Sequence, residues 1–134
     1  MTTQRNTFQK NERLCSNKII QRLFDEGQSF VRYPFRITIL PIDDEDAAPL
    51  QILISVSKKR FKRANKRNWV KRRIREAYRL NKHQALAVLT EKNIKLAVSF
   101  VYLPSEVLDY SNIEKTVKKA LKQIVSKVVP DENH

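Results

Sequence analysis

From Lys58 to Arg75 the chain reads KKRFKRANKRNWVKRRIR, eleven Lys or Arg in eighteen residues with no carboxylate among them. Beneath that charge runs a second pattern. Val70, Ile74, Ala77, Tyr78, Ala85 and Leu89 recur at spacings of three, four and seven, the period of a helix with one apolar stripe. The stripe must be covered by the rest of the fold while the cations stay in water. This is a folded element with a cationic outer face, so a polyanion is the expected partner.

The rest of the composition supplies the core that such a helix needs. Lys and Arg number 27 against 14 Asp and Glu, a net charge of +13, yet 41% of the 134 residues are hydrophobic, too many for a disordered basic tail. The length suits one domain, 1–134, with flexible tails expected at 1–12 and 130–134. Cys15 is the single cysteine, which excludes an intramolecular disulfide and a Cys-based zinc finger and fits a reducing compartment. The amino terminus lacks an apolar signal region, and no apolar run approaches the roughly 20 residues of a membrane span. A cytoplasmic protein, complete as given, is the expectation.

Hydrophobic period divides the chain into elements. Ser16 to Glu26 carries Ile19, Ile20, Leu23 and Phe24 at helical spacing, with Ser16 as N-cap and Gly27, the only glycine, as the stop. Phe30 to Leu40 alternates as one half-buried strand, with Pro34 pointing to an edge or a late strand start. The acidic connection Asp43 to Asp46 precedes a second strand, Leu50 to Ser57. A long helix is predicted from Asn65 to Leu89, with Asn68, Lys71, Arg72, Arg75, Arg79 and Lys82 facing away from the stripe. A third strand lies between Ile94 and Tyr102. Ser111 and Glu114 form a capping box for the last helix. The predicted class is α+β, a two-layer α/β sandwich in the order α-β-β-α-β-α.

The residues available for catalysis are few. His83 lies on a helix surface and His134 ends the chain, so neither is placed beside a partner that would orient its imidazole. Asp43 to Asp46 reads as a solvated loop, since consecutive carboxylates lack the fixed geometry of a metal site. One glycine cannot build a Gly-rich phosphate loop. Any phosphodiester chemistry must therefore draw its catalytic centre from another component. The cation segment reads differently, because solvated helix faces ordinarily mix charge signs, and arginine forks match phosphate geometry.

The string Ser55 to Tyr78, SVSKKRFKRANKRNWVKRRIREAY, closely resembles the signature of the protein subunit of bacterial ribonuclease P. Lys58, Lys59, Arg63, Ala64, Arg67, Asn68, Lys71, Arg72, Arg75 and Glu76 carry the match without a gap. Arg13 with Leu14, and Ile20 to Gly27, resemble the family's amino-terminal motif and first helix. The resemblance implies an α/β sandwich with a left-handed crossover between the second and third strands. It implies a protein that binds a catalytic RNA, which with its Mg2+ ions removes 5′ leaders from precursor tRNA. No cofactor is expected on the protein's own side chains, and neither membrane nor DNA is expected as a partner.

Carried over residue by residue, the resemblance implies that Lys58, Lys59, Arg63, Arg67, Asn68, Lys71, Arg72 and Arg75 face RNA. It also implies a leader cleft lined by Arg13, Ile20, Phe24, Thr38 and Ser55. Trp69 stands where the family usually repeats an Arg, and Ile20 and Thr38 stand where aromatic residues are common. A cleft so lined grips by charge more than by stacking. Two other readings of the residues stay open: a general structured-RNA-binding or ribosomal protein, from charge alone, and a metal-dependent nuclease built on Asp43 to Asp46.

Overall fold

The structure, a computed structural model, describes residues 12–14 and 16–129. Its elements are α1 (Asn17–Glu26), β1 (Gln28–Arg32), β2 (Phe35–Pro41), β3 (Leu50–Val56), α2 (Ala64–Asn81), α3 (His83–Glu91), β4 (Leu96–Tyr102) and α4 (Tyr110–Val128). The strands form one sheet in the order β1-β2-β4-β3, antiparallel except for the parallel pair β3–β4. That parallel pair is the one joined by α2 and α3, so the crossover passes through the cationic helix.

The pleat explains where the core sits. Phe35, Ile37 and Ile39 of β2, Val98, Phe100 and Tyr102 of β4, and Ile52 and Val56 of β3 point to one face. There they meet Val70, Ile74, Ala77 and Tyr78 of α2, Ala85 and Leu89 of α3, and Ile113, Val117, Leu121 and Ile124 of α4. Phe35 packs edge-on against Phe100 and Tyr102 at 5.5 and 6.0 Å. On the opposite face α1 is the one helix among the described residues that covers the strands, burying Leu23 with Leu14, Leu40, Ile42 and Ala97. As β4 is covered on both faces, its LAVSFVY run loses the alternation of a half-exposed strand.

The predicted order of elements holds, and four local details differ. The strand expected from Phe30 to Leu40 is a hairpin: Tyr33 and Pro34 form the turn, and Gln28 pairs with Ile39 through to Arg32 with Phe35. Proline has no N–H to give a ladder, so the chain reverses there. The helix expected from Asn65 to Leu89 breaks at Lys82. Asn81 turns its amide back to the Ala77 carbonyl at 2.7 Å and across to Glu114 at 3.1 Å. Lys82, assigned by period to the outer face, is instead buried and bonded to both Glu12 oxygens at 2.8 and 2.7 Å.

At α4 the N-cap is Asp109, and Glu114 is engaged by Asn81, so the Ser111–Glu114 capping box is not made. Gly27 does end α1, but in extended backbone with φ −69°. Its need for glycine is steric, since a Cβ there would lie 2.3 Å from the Leu23 carbonyl oxygen and 2.7 Å from Thr38 Cγ2. Ser16 caps α1 as predicted, accepting from the Ile19 N–H at 3.4 Å. Cys15, His134 and the expected tails lie outside the described residues, except Glu12, which its ion pair with Lys82 fixes.

Candidate nucleic-acid interface

The loop between β3 and α2 is basic, yet it is anchored from within. Phe61 is 5% exposed and its ring lies 6.1 Å from that of Tyr102. The Ser57 carbonyl accepts from the N–H groups of Arg60 and Phe61, and Ser57 Oγ accepts from that of Lys59 at 3.1 Å. From α2, Arg67 Nη1 donates to the carbonyls of Phe61 at 2.6 Å and Lys62 at 3.2 Å. Burying one aromatic thus leaves Lys58, Lys59, Arg60, Lys62 and Arg63 exposed on a loop of defined shape.

The helix that follows starts in an unusual way. Its N-cap is Arg63, with no side-chain cap and no acid in the first turn. The unsatisfied N–H groups and the positive end of the helix dipole therefore add to the loop's charge instead of being neutralised. Asn68 and Arg72 are exposed, Lys71 and Arg75 half-exposed. Burial and the nearby Arg13 charge both lower the pKa of Arg75. Two like charges that repel in this way favour an anion nearby. Arg79 is different, because Glu76 receives its Nε at 3.1 Å and depresses its own pKa in doing so. That part of the helix is already neutralised.

Arg13 lies at the edge of the sheet. Residues 13 and 14 run beside β3, bridging Arg13 to Ile52, with the Leu14 N–H on the Ile52 carbonyl at 3.0 Å. Next to that edge lies the side of the sheet that, among the described residues, α1 alone covers as a helix. Two rows cross it by register: Ser29, Thr38, Ser99 and Leu53, then Val31, Arg36, Val101 and Ser55. The first row lies close to the end of α1, and Thr38 is 3% exposed with its hydroxyl 2.9 Å from that of Ser29. In the second row Val31 and Arg36 are exposed, and Ser55 partly so.

The five residues expected to line a cleft accordingly separate. Arg13 and Phe24 are open to solvent, Ser55 is half-exposed, Ile20 packs against the cluster under α1, and Thr38 is buried beside Gly27. Arg36 was missed although it shares Thr38's face at a spacing of two, which the strand period already contained. Val31 was missed because the hairpin was read as a single strand. Among the eight residues expected to face RNA, all are at least partly exposed, but Arg67 also has the structural task of holding the loop.

The Asp43–Asp46 loop is exposed and folds on itself through the Asp46 N–H to Asp44 Oδ1 at 3.0 Å. Among the described residues no three His, Cys, Asp or Glu side chains could hold a metal ion. None of the helices there is long and apolar enough to cross a membrane. A dense cationic face on an α+β domain beside an open strip of sheet defines an RNA-binding protein.

Comparison with known proteins makes the class specific. The Ribonuclease P family model matches residues 8–125. A ribonuclease P protein component of Porphyromonas gingivalis is 43% identical over 119 residues, covering 89% of this chain and 87% of that one. One from Chlorobium phaeobacteroides is 31% identical over 107 residues, 73% of each. The Staphylococcus aureus RNase P protein structure matches with a TM-score of 0.63 at 26% identity, over 84% of this chain and 94% of that one. The Thermotoga maritima RNase P protein shares the fold with a TM-score of 0.65 at 23% identity, over 84% and 96%. The chain belongs to the ribonuclease P protein family. It is the RNA-binding subunit of that ribonucleoprotein, an endoribonuclease of tRNA 5′ maturation.

Proposed function

We propose that the basic loop and α2 dock on the catalytic RNA while the open sheet strip holds the 5′ leader of precursor tRNA. Lys58, Lys59, Arg63, Arg67, Asn68, Lys71, Arg72 and Arg75 make the first contact. Arg13, Phe24 and Ser55, joined by Arg36, make the second, with Ile20 and Thr38 supporting α1 beneath it. The observation that carries this reading is the continuity of charge from α2 through Arg75 and Arg13 to the edge of the open strip. A single-stranded leader laid there meets cations at one rim and an exposed aromatic, Phe24, on the α1 side.

Catalysis then belongs to the RNA and its Mg2+ ions, and the protein acts by neutralising phosphates where RNA and substrate meet. The cytoplasm is the compartment that this partnership requires. Reconstitution is the test. Adding the chain to its cognate RNA at low Mg2+ raises leader cleavage above RNA alone, and a substrate without a leader loses most of that gain. Equal cleavage with and without the chain would refute the assignment.

A further inference from the structure

Trp69 is the one tryptophan of the chain and is 47% exposed. On the α2 wheel it lies on the flank away from Lys71 and Arg75, next to Arg72. Its ring is not simply left in water. The Arg73 guanidinium sits over it at 4.0 Å from the centroid, well inside cation–π range. Arg73 Nε is buried without a hydrogen-bond partner, so this position is not a by-product of an ion pair through that atom.

The indole also divides two surface hollows. Arg73 lines the smaller, with Arg72, Glu76 and Tyr110. The larger, about 480 Å³, is lined by Arg60, Lys62 and Arg63 of the basic loop and Lys66 of the first turn of α2, with Glu106 the one carboxylate. Arg73 is absent from that side. The ring is thus backed by a cation on one face, and the same indole borders a hollow lined by four more.

We propose that Trp69 is a stacking platform for one unpaired RNA base, with Arg60, Arg63 and Lys66 placed to receive its flanking phosphates. This rests on the reading that the basic face binds RNA. An aromatic plane among cations suits a nucleotide, because base stacking and phosphate neutralisation need those two groups side by side. Held by Arg73, the ring is ordered before the base arrives, which lowers the entropy cost of stacking. At this position the chain gives up an arginine's charge for selectivity between unpaired and paired nucleotides.

Because the chain has no other tryptophan, its fluorescence reports this site alone. The full chain is titrated at fixed salt with short oligoadenylate, with an abasic ribose-phosphate of equal length, and with the labelled cognate catalytic RNA followed by anisotropy. Oligoadenylate and the catalytic RNA quench the indole, the abasic strand does not, and oligoadenylate binds roughly tenfold tighter than the abasic strand. Trp69→Phe keeps that preference. Trp69→Ala loses it, and Trp69→Arg tightens both strands without restoring it, while urea midpoints of all three variants stay at the wild-type value. Unchanged fluorescence on a chain that anisotropy shows to be RNA-bound overturns the platform and leaves the RNA reading intact. A preference that survives in Trp69→Ala does the same. No binding of the catalytic RNA at all overturns both.

Discussion

On one face of the sheet Ile37, Ile39, Val98 and Phe100 lie under α2, α3 and α4 with exposures of 2% or less. On the other, among the described residues only α1 crosses the strands, and Val31, Arg36 and Ser55 remain accessible. The same strands build both faces, so alternate residues answer to different demands. The covered face is chosen by packing and tolerates little change in volume. The open face is chosen, at its exposed positions Val31 and Arg36, by what lies against it, and a polar or charged residue there costs the fold little. Helix α2 repeats the contrast around its own axis, with Val70 and Ile74 inward and Asn68 and Arg72 outward.

Val70→Asp tests the covered side with the largest expected effect. Val70 is fully buried, and an unpaired carboxylate there would cost several kcal/mol, roughly the whole stability of a domain this size. Circular dichroism in urea should show no cooperative transition. The equivalent change on the other side of the helix, Arg72→Asp, should leave the transition in place and weaken RNA binding. A folded Val70→Asp would mean that the stripe is not packed as described.

The next effect belongs to Lys82. Its side chain is 3% exposed and that of Glu12 13%, so their bond is largely out of water. Lys82→Ala leaves the carboxylate without that partner and should lower stability by about 3 kcal/mol. A double change, Lys82→Met with Glu12→Gln, should recover most of the loss, since replacing a buried pair is far milder than breaking one. If the double variant is no better than the single, the pair is not the source of the stability. Because Glu12 precedes Arg13, Lys82→Ala should also weaken leader binding more than binding of the catalytic RNA.

Gly27→Ala follows. The added Cβ meets backbone oxygen and Thr38 Cγ2, so α1 must shift against β2 at a cost of about 1–3 kcal/mol. The shift disturbs the open face only. Leader affinity should fall while affinity of the α2 face for RNA holds, and equal losses at both would contradict the separation of the two surfaces.

How far these surfaces could be read from sequence depended on whether local period or distant partners decided them. The stripe of α2 was legible because Val70, Ile74, Ala77 and Tyr78 are set by one helix period and end buried as predicted. The break at Lys82 was not, because its cause lies 70 residues away in Glu12 and 33 residues from Asn81 in Glu114. The same distance hid the fate of the capping box. Thr38 was placed on the right face by alternation, but its burial depends on how closely α1 approaches at Gly27. Charge density and the family resemblance together gave the residues expected to face RNA, yet neither could distinguish Arg67, which holds the loop through the Phe61 and Lys62 carbonyls, from the exposed Arg72.

That last distinction gives the smallest and most specific effect. Arg72→Ala removes one exposed cation, so stability should change by less than about 0.5 kcal/mol, and the salt dependence of RNA binding should flatten by about one phosphate. Arg67→Ala should flatten it by a similar amount and do something more. Without Nη1 on the Phe61 and Lys62 carbonyls, the loop loses the tie that spaces its cations, and amide exchange should quicken from Lys59 to Arg63. Arg67→Lys keeps the charge but not the fork, so it should recover the salt slope and leave the loop exchanging fast. If loop exchange in Arg67→Ala matches that in Arg72→Ala, then Phe61 and Ser57 suffice to shape the loop, and Arg67 contributes charge only.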